Sequence, residues 1–149
     1  MPRTAIANLL RSNRPVYLLD TNVVSELRRP RPHRSVLRWI AGVPSDQLFL
    51  SAVTVGEIQA GIENVRERDP HKAQELEAWL EQVIDSYGVL PMDAAAFREW
   101  ARLKRQRSRT LLEDAMIAAT ATVHRLTVVT RDVRDFRRLG VPLLNPFEV

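Results

Sequence analysis

Val16-Tyr17-Leu18-Leu19-Asp20-Thr21-Asn22 reads as a short apolar strand that ends abruptly on a polar corner. Two later stretches repeat that hand-over. Leu48-Phe49-Leu50-Ser51 is followed shortly by Thr54-Val55-Gly56-Glu57, and Thr127-Val128-Val129-Thr130 runs into Arg131-Asp132. Between these runs the apolar residues recur at helical spacing, as with Ile58, Ile62 and Val65 at i, i+4 and i+7. Strands alternating with helices make an α/β domain around a parallel sheet. In such sheets ligands bind in the crevice outside the carboxyl ends of the strands. Asp20, Glu57 and Asp132 are therefore expected to converge there from distant parts of the chain.

The other elements fill in around these strands. Helices are expected just after Asp20, around 33–41, from near Thr54, and from the Asp69-Pro70 start signal onward. A short run, Val89-Leu90-Pro91-Met92, precedes Asp93, which reads as the N-cap of a helix bearing Phe97 and Ala101. A helix near 111–124 carries Asp114 in its first turn, inside an otherwise apolar and small-residue stretch. A turn or short helix at 133–138, Gly140 as a C-cap, and Val141-Pro142-Leu143-Leu144 close the chain. Residues 1–14 read as an extension outside the core, open to disorder, and residues 15–149 as one domain.

Each acid also has a plain structural reading. Thr54-Val55-Gly56-Glu57 fits the S/T-x-x-E capping box, in which Glu at N3 bonds back to the cap. Asp20 could cap the next helix, although Thr21 and Asn22 offer the same service. Asp114 costs free energy in a largely buried helix unless it is paired or meets a cation. Its neighbour Glu113 is assigned to solvent. Asp132 lies closer to its strand end than Asp135 and is preferred over it, while Asp135 stays open as a substitute or supporting group. Trp39, Trp79 and Trp100 read as core or interface, and His124 as a partner for a helix dipole.

Composition narrows the chemistry further. The chain has 149 residues, 45% of them hydrophobic and 27% charged, with no cysteine. Disulfides, Fe–S clusters and cysteine-based zinc sites are excluded. No apolar run approaches the ~20 residues needed to span a bilayer, the basic start has too short an apolar part for a secretory leader, and the expected location is cytoplasmic. Several carboxylates in one pocket repel one another, so they take up protons or hold a cation, and oxygen ligands of this kind suit Mg²⁺ or Mn²⁺ acting on phosphates. Net charge is +4. The basic residues cluster at Arg28, Arg29, Arg31 and Arg34, at Lys104, Arg105, Arg107 and Arg109, and at Arg131, Arg134, Arg137 and Arg138. Basic clusters around an acidic pocket suit a polyanion, with the Lys104–Arg109 group as the candidate RNA contact.

With these residues in place the chain resembles the PIN-domain family, and within it the VapC-type toxins of toxin–antitoxin pairs, of the FitB-like subgroup. The resemblance rests on Leu18-Leu19-Asp20-Thr21-Asn22-Val23, Ser51-Ala52-Val53-Thr54-Val55-Gly56-Glu57-Ile58, Glu113-Asp114-Ala115-Met116-Ile117-Ala118-Ala119-Thr120-Ala121 and Val129-Thr130-Arg131-Asp132-Val133-Arg134-Asp135-Phe136. It implies a three-layer α/β/α fold around a mostly parallel sheet and a Mg²⁺- or Mn²⁺-dependent ribonuclease. The family's acids fall on Asp20, Glu57, Asp114 and Asp132, with Asp20, Asp114 and Asp132 as metal ligands. Thr21, Asn22, Thr130 and Asp135 support them. A homodimer and a cognate antitoxin reaching the acidic pocket are further implications. Two alternatives stand beside this reading. One is a phospho-acceptor or phosphatase-like α/β domain, although that pattern wants Asp-x-Asp where Asp20-Thr21-Asn22 stands. The other is a catalytically silent nucleic-acid-binding protein.

Overall fold

The computed structural model describes residues 2–106 and 112–149. Five strands form one all-parallel sheet: β1 (Tyr17–Leu19), β2 (Leu48–Ser51), β3 (Gly88–Leu90), β4 (Thr127–Val129) and β5 (Leu143–Leu144), in the order β3-β2-β1-β4-β5. Among the described residues, eight α-helices accompany them: α1 (Pro2–Arg11), α2 (Thr21–Glu26), α3 (Arg34–Ala41), α4 (Ala52–Arg66), α5 (Pro70–Ser86), α6 (Ala94–Gln106), α7 (Leu112–His124) and α8 (Val133–Arg137). No helix among the described residues is long and apolar enough to cross a membrane.

Side chains alternate across each strand, so the apolar runs divide into two cores. Leu18, Phe49, Leu90 and Val128 point into one, with Ile117, Ala118 and Ala121 of α7 and Phe136 of α8. Leu19, Leu48, Leu50 and Val129 point into the other, against Val23 and Val24 of α2, Val36 of α3, Ile58 and Ile62 of α4, and Leu80 and Val83 of α5. Helices thus cover both faces, giving the three-layer α/β/α arrangement. Gly88 is needed on the edge strand because its register partner Phe49 lays its ring across that position, 2.5 Å from where a Cβ would stand.

The chain builds outward from β1 to β3, then returns to add β4 on the other side of β1. This reversal leaves a crevice at the carboxyl ends of β1 and β4, the topological switch point of the sheet. Leu19 pairs with Val129 at that edge, and the Asp20 amide donates to the Val129 carbonyl at 2.9 Å.

Three expectations change. The amino-terminal segment is no loose extension: α1 places Ile6 and Leu9 in the first core beside Phe49 and Leu90, burying both. The helix expected from Thr54 begins at Ala52, capped by the Ser51 hydroxyl, which accepts from the Val53 amide at 3.1 Å. Strand ends also move by one or two residues, with β3 set at Gly88–Leu90 and β5 reduced to Leu143–Leu144. The caps at Asp69 and Asp93 form as expected, on the amides of Lys72 and Ala96.

Candidate active site

Asp20 anchors the corner. It is buried, and it caps α2 by accepting from the Thr21 amide at 2.8 Å through one carboxylate oxygen. Its cap role is therefore real, contrary to the expectation that Thr21 or Asn22 would make it unnecessary. The second oxygen faces the other way. It accepts from the Thr130 hydroxyl at 2.8 Å and from the Asn22 amide nitrogen at 3.2 Å.

Asn22 and Thr130 carry the connection onward to Asp132. The Asn22 Nδ2 donates to Asp132 Oδ2 at 3.1 Å, and its Oδ1 accepts from the Arg131 amide at 3.2 Å. Thr130 Oγ1 accepts from the Asp132 amide at 2.9 Å. Asp132 sits at the N-cap position of α8 without making a side-chain cap bond, so its carboxylate is turned to Asn22 instead. Asp135, one turn into α8, is exposed and has no such tie. Its charge still acts on the corner, weighing on Asp114 more than that of Asp132 does.

Glu57 arrives from α4. With the helix starting at Ala52, Glu57 lies beyond the first turn and cannot close a capping box. Its Oε1 instead accepts from the Thr21 hydroxyl at 2.8 Å, and that hydroxyl also lies 3.2 Å from Thr54 Oγ1. The Thr54 hydroxyl, read from sequence as a cap, is buried and belongs to this polar chain. Asp114 projects from the first turn of α7, where the helix dipole favours an anion.

The electrostatics show how close these groups are. Asp114 is pushed up to about 7, by burial first and then by the charges of Asp20, Asp135, Asp132 and Glu57. Asp20 is also raised, chiefly by burial and further by Asp132, against the lowering effect of its bonds to Thr130 and Thr21. Glu57 is raised by burial, with Asp20 and Glu113 adding to it while Thr21 opposes. Glu113 is thus half-buried near the corner rather than a purely solvent-facing acid. Among the described residues, no three acids stand close enough together to hold a metal ion as they are.

The surrounding basic groups are less uniform than the sequence suggested. Lys104 and Arg105 end α6 and are exposed, with Lys104 Nζ 5.0 Å from the centroid of the Trp100 ring. Arg107 and Arg109 lie outside the described residues. Arg131 stacks on Phe147 at 4.5 Å. Of the tryptophans, Trp39 packs edge-on against Tyr17, and Trp79 packs against the second core.

This geometry and the match of residues 17–142 to the PIN domain model define the class: the chain belongs to the PIN-domain family. That membership sets aside the phospho-acceptor or phosphatase-like alternative. Among curated relatives, the chain is 36% identical to the VapC ribonuclease Y4jK of Sinorhizobium fredii over 141 residues, covering 89% of this chain and 99% of that protein. It is 35% identical to Toxin FitB of Neisseria gonorrhoeae over 139 residues, with the same coverage. The crystal structure of FitAcB from Neisseria gonorrhoeae superposes with a TM-score of 0.83 at 33% identity, covering 90% of this chain and 100% of that one.

Proposed function

We propose that this protein is a metal-dependent endoribonuclease and the toxin of a toxin–antitoxin pair, with the nuclease carried by residues 15–149. The observation that carries the reading is that Asp20, Glu57, Asp114 and Asp132 gather around the switch point of the sheet, with Asp114 raised to about 7 by burial first and then by the charges of Asp20, Asp135, Asp132 and Glu57. The ligands the corner offers are carboxylate and hydroxyl oxygens, a set that fits Mg²⁺ or Mn²⁺ better than softer ions. Asp20, Asp114 and Asp132 would hold the ion, and Asp135 is near enough to add its charge. A divalent ion there supplies Lewis acidity toward a phosphodiester and lowers the pKa of water.

The protein's own groups divide the remaining work. Thr130 and Asn22 orient Asp20 and Asp132, so that the two carboxylates approach from adjacent strand ends. Thr21 fixes Glu57 through Oε1, leaving Oε2 to accept a proton from an attacking water. Its raised pKa brings Glu57 nearer to neutral, where a general base works best. Lys104 and Arg105, with Arg107 and Arg109, would draw the RNA backbone toward the corner.

The names of the relatives, a VapC ribonuclease and a toxin, support this reading. A homodimer, a cognate antitoxin that occludes the corner, and a cytoplasmic location complete it. The direct experiment is incubation of purified protein with single-stranded RNA in Mg²⁺ or Mn²⁺, with and without EDTA. Cleavage should need the ion and disappear in Asp20→Asn. Cleavage that survives thorough chelation refutes the metal-dependent mechanism.

A further inference from the structure

A cavity of about 190 Å³ opens between α2, α4 and α5, and two of its wall residues, Thr21 and Glu57, belong to the acidic corner itself. Away from the corner its character changes. Ile62 and Trp79 give it an apolar and aromatic wall, Ser25 adds a hydroxyl, and Arg28 adds a cation. Arg28 is exposed and makes no ion pair among the described residues, since nearby Glu26 is taken by Arg29 and by the backbone amide of His33. The volume is below the ~300 Å³ at which clefts begin to accept drug-sized ligands. It suits one planar ring system.

We propose that this cavity is a nucleobase subsite, which takes the base of the RNA nucleotide next to the scissile phosphate while Arg28 meets a neighbouring backbone phosphate. The inference rests on the ribonuclease reading above and adds a site to it. A base has apolar faces that stack on aromatic and aliphatic walls regardless of sequence. Its charged backbone is repelled by uncompensated carboxylates and attracted by a guanidinium. The cavity offers each part of the nucleotide its own partner: Trp79 and Ile62 for the ring, Arg28 for the phosphate, and the acidic corner for the bond to be cut. Because the space holds a single ring system, it would engage one base, at the position beside the cut.

Gly61 allows a clean test. It lines the cavity, and a Cβ built there meets nothing within 4 Å. Gly61→Leu therefore fills the space from a helix that leucine also favours over glycine. The variant should melt no lower than the parent, yet its KM for single-stranded RNA should rise about tenfold, the scale of one lost base stack. Turnover at saturation should hold, because only uniform binding is removed. An RNA with an abasic residue beside the cut should be cleaved alike by both proteins. Arg28→Gln should flatten the dependence of log affinity on log salt by about 0.7. Fluorescence anisotropy with a labelled single-stranded RNA separates the outcomes. If the parent binds and cuts RNA and Gly61→Leu does both equally well, the subsite is refuted while the nuclease reading stands, the pattern expected of a cavity that serves a protein partner. If the parent neither binds nor cuts RNA, both proposals fall together.

Discussion

Replacing Asp114 with Asn should stabilise the protein in chelating buffer at alkaline pH, with a gain that fades as the pH falls. The Asp114 carboxyl moves from its ordinary 3.8 to about 7, mainly through burial and then through Asp20, Asp135, Asp132 and Glu57. At about 1.4 kcal/mol per unit, a shift of roughly three units sets an upper bound of about 4 kcal/mol. Asp114 is only half-buried, and solvent screening brings the working figure to about 2 kcal/mol. Between 3.8 and about 7 the folded carboxyl holds a proton that the unfolded one has released. Stability therefore falls as pH rises through that window, and the deficit is complete above it. In a chain of this size 1 kcal/mol moves the melting temperature by about 2–4 °C, so Asp114→Asn should melt about 4–8 °C above the parent near pH ~8. The difference should shrink as the pH falls through that window and vanish well below 3.8, where the carboxyl is protonated in both states. Melting curves by far-ultraviolet circular dichroism, across that range and in excess EDTA, give the answer. Saturating Mg²⁺ should reverse the order, because only the parent gains stability from the bound ion. Equal melting temperatures at the alkaline end, or a gap that stays constant with pH, would refute the claim that burial and its acidic neighbours raise the Asp114 carboxyl.

Other consequences are as direct. Ser51→Ala should lower the melting temperature by about 2–4 °C, the worth of one N-cap, without altering turnover, whereas Glu57→Gln should do the reverse. A fully active Glu57→Gln protein would remove Glu57 from the chemistry. Gly88→Ala places a Cβ 2.5 Å from the Phe49 ring and should destabilise by about 1–3 kcal/mol. Phe49→Leu in the same chain should recover part of that loss in denaturant titrations, and strictly additive losses would argue against the clash. Neutralising Lys104 and Arg105 together should raise KM for RNA and flatten the salt slope by about 1.4, at about 0.7 per phosphate contact to a single strand. An unchanged slope would make that end of α6 merely a solvated surface.

Much of this protein is legible without a structure, because the relevant signals are local. Largely apolar runs at 16–19, 48–51 and 127–130 mark strands covered on both faces, which form at Tyr17–Leu19, Leu48–Ser51 and Thr127–Val129. The Asp69-Pro70 pair and the Asp93 cap mark helix starts that form as written. The position of Asp20 and Asp132 just past strands sufficed to nominate them, since strand ends face the crevice in any open parallel sheet. Sequence spacing was a weaker guide where two local readings competed. Thr54-Val55-Gly56-Glu57 has the letters of a capping box, yet Ser51 captures the helix start three residues earlier. A cap goes to the side chain whose backbone leaves the strand, and the length of β2 decides that.

Only the tertiary structure could settle which groups meet. Strand order brings β1 beside β4, so Asn22 and Thr130, far apart in the chain, bridge Asp20 to Asp132. Thr21 meets Glu57 because α2 packs against α4, a contact that no spacing rule contains. The same holds for α1, whose Ile6 and Leu9 enter the core only because the sheet leaves apolar surface at Phe49 and Leu90 for them to cover. The sequence by itself determined the elements and the kinds of side chain at their ends, since those depend on periodicity and capping within a few residues. Packing decided the pairings, the raised carboxyls and the cavity beside them, because distances between remote segments exist only once both faces of the sheet are covered.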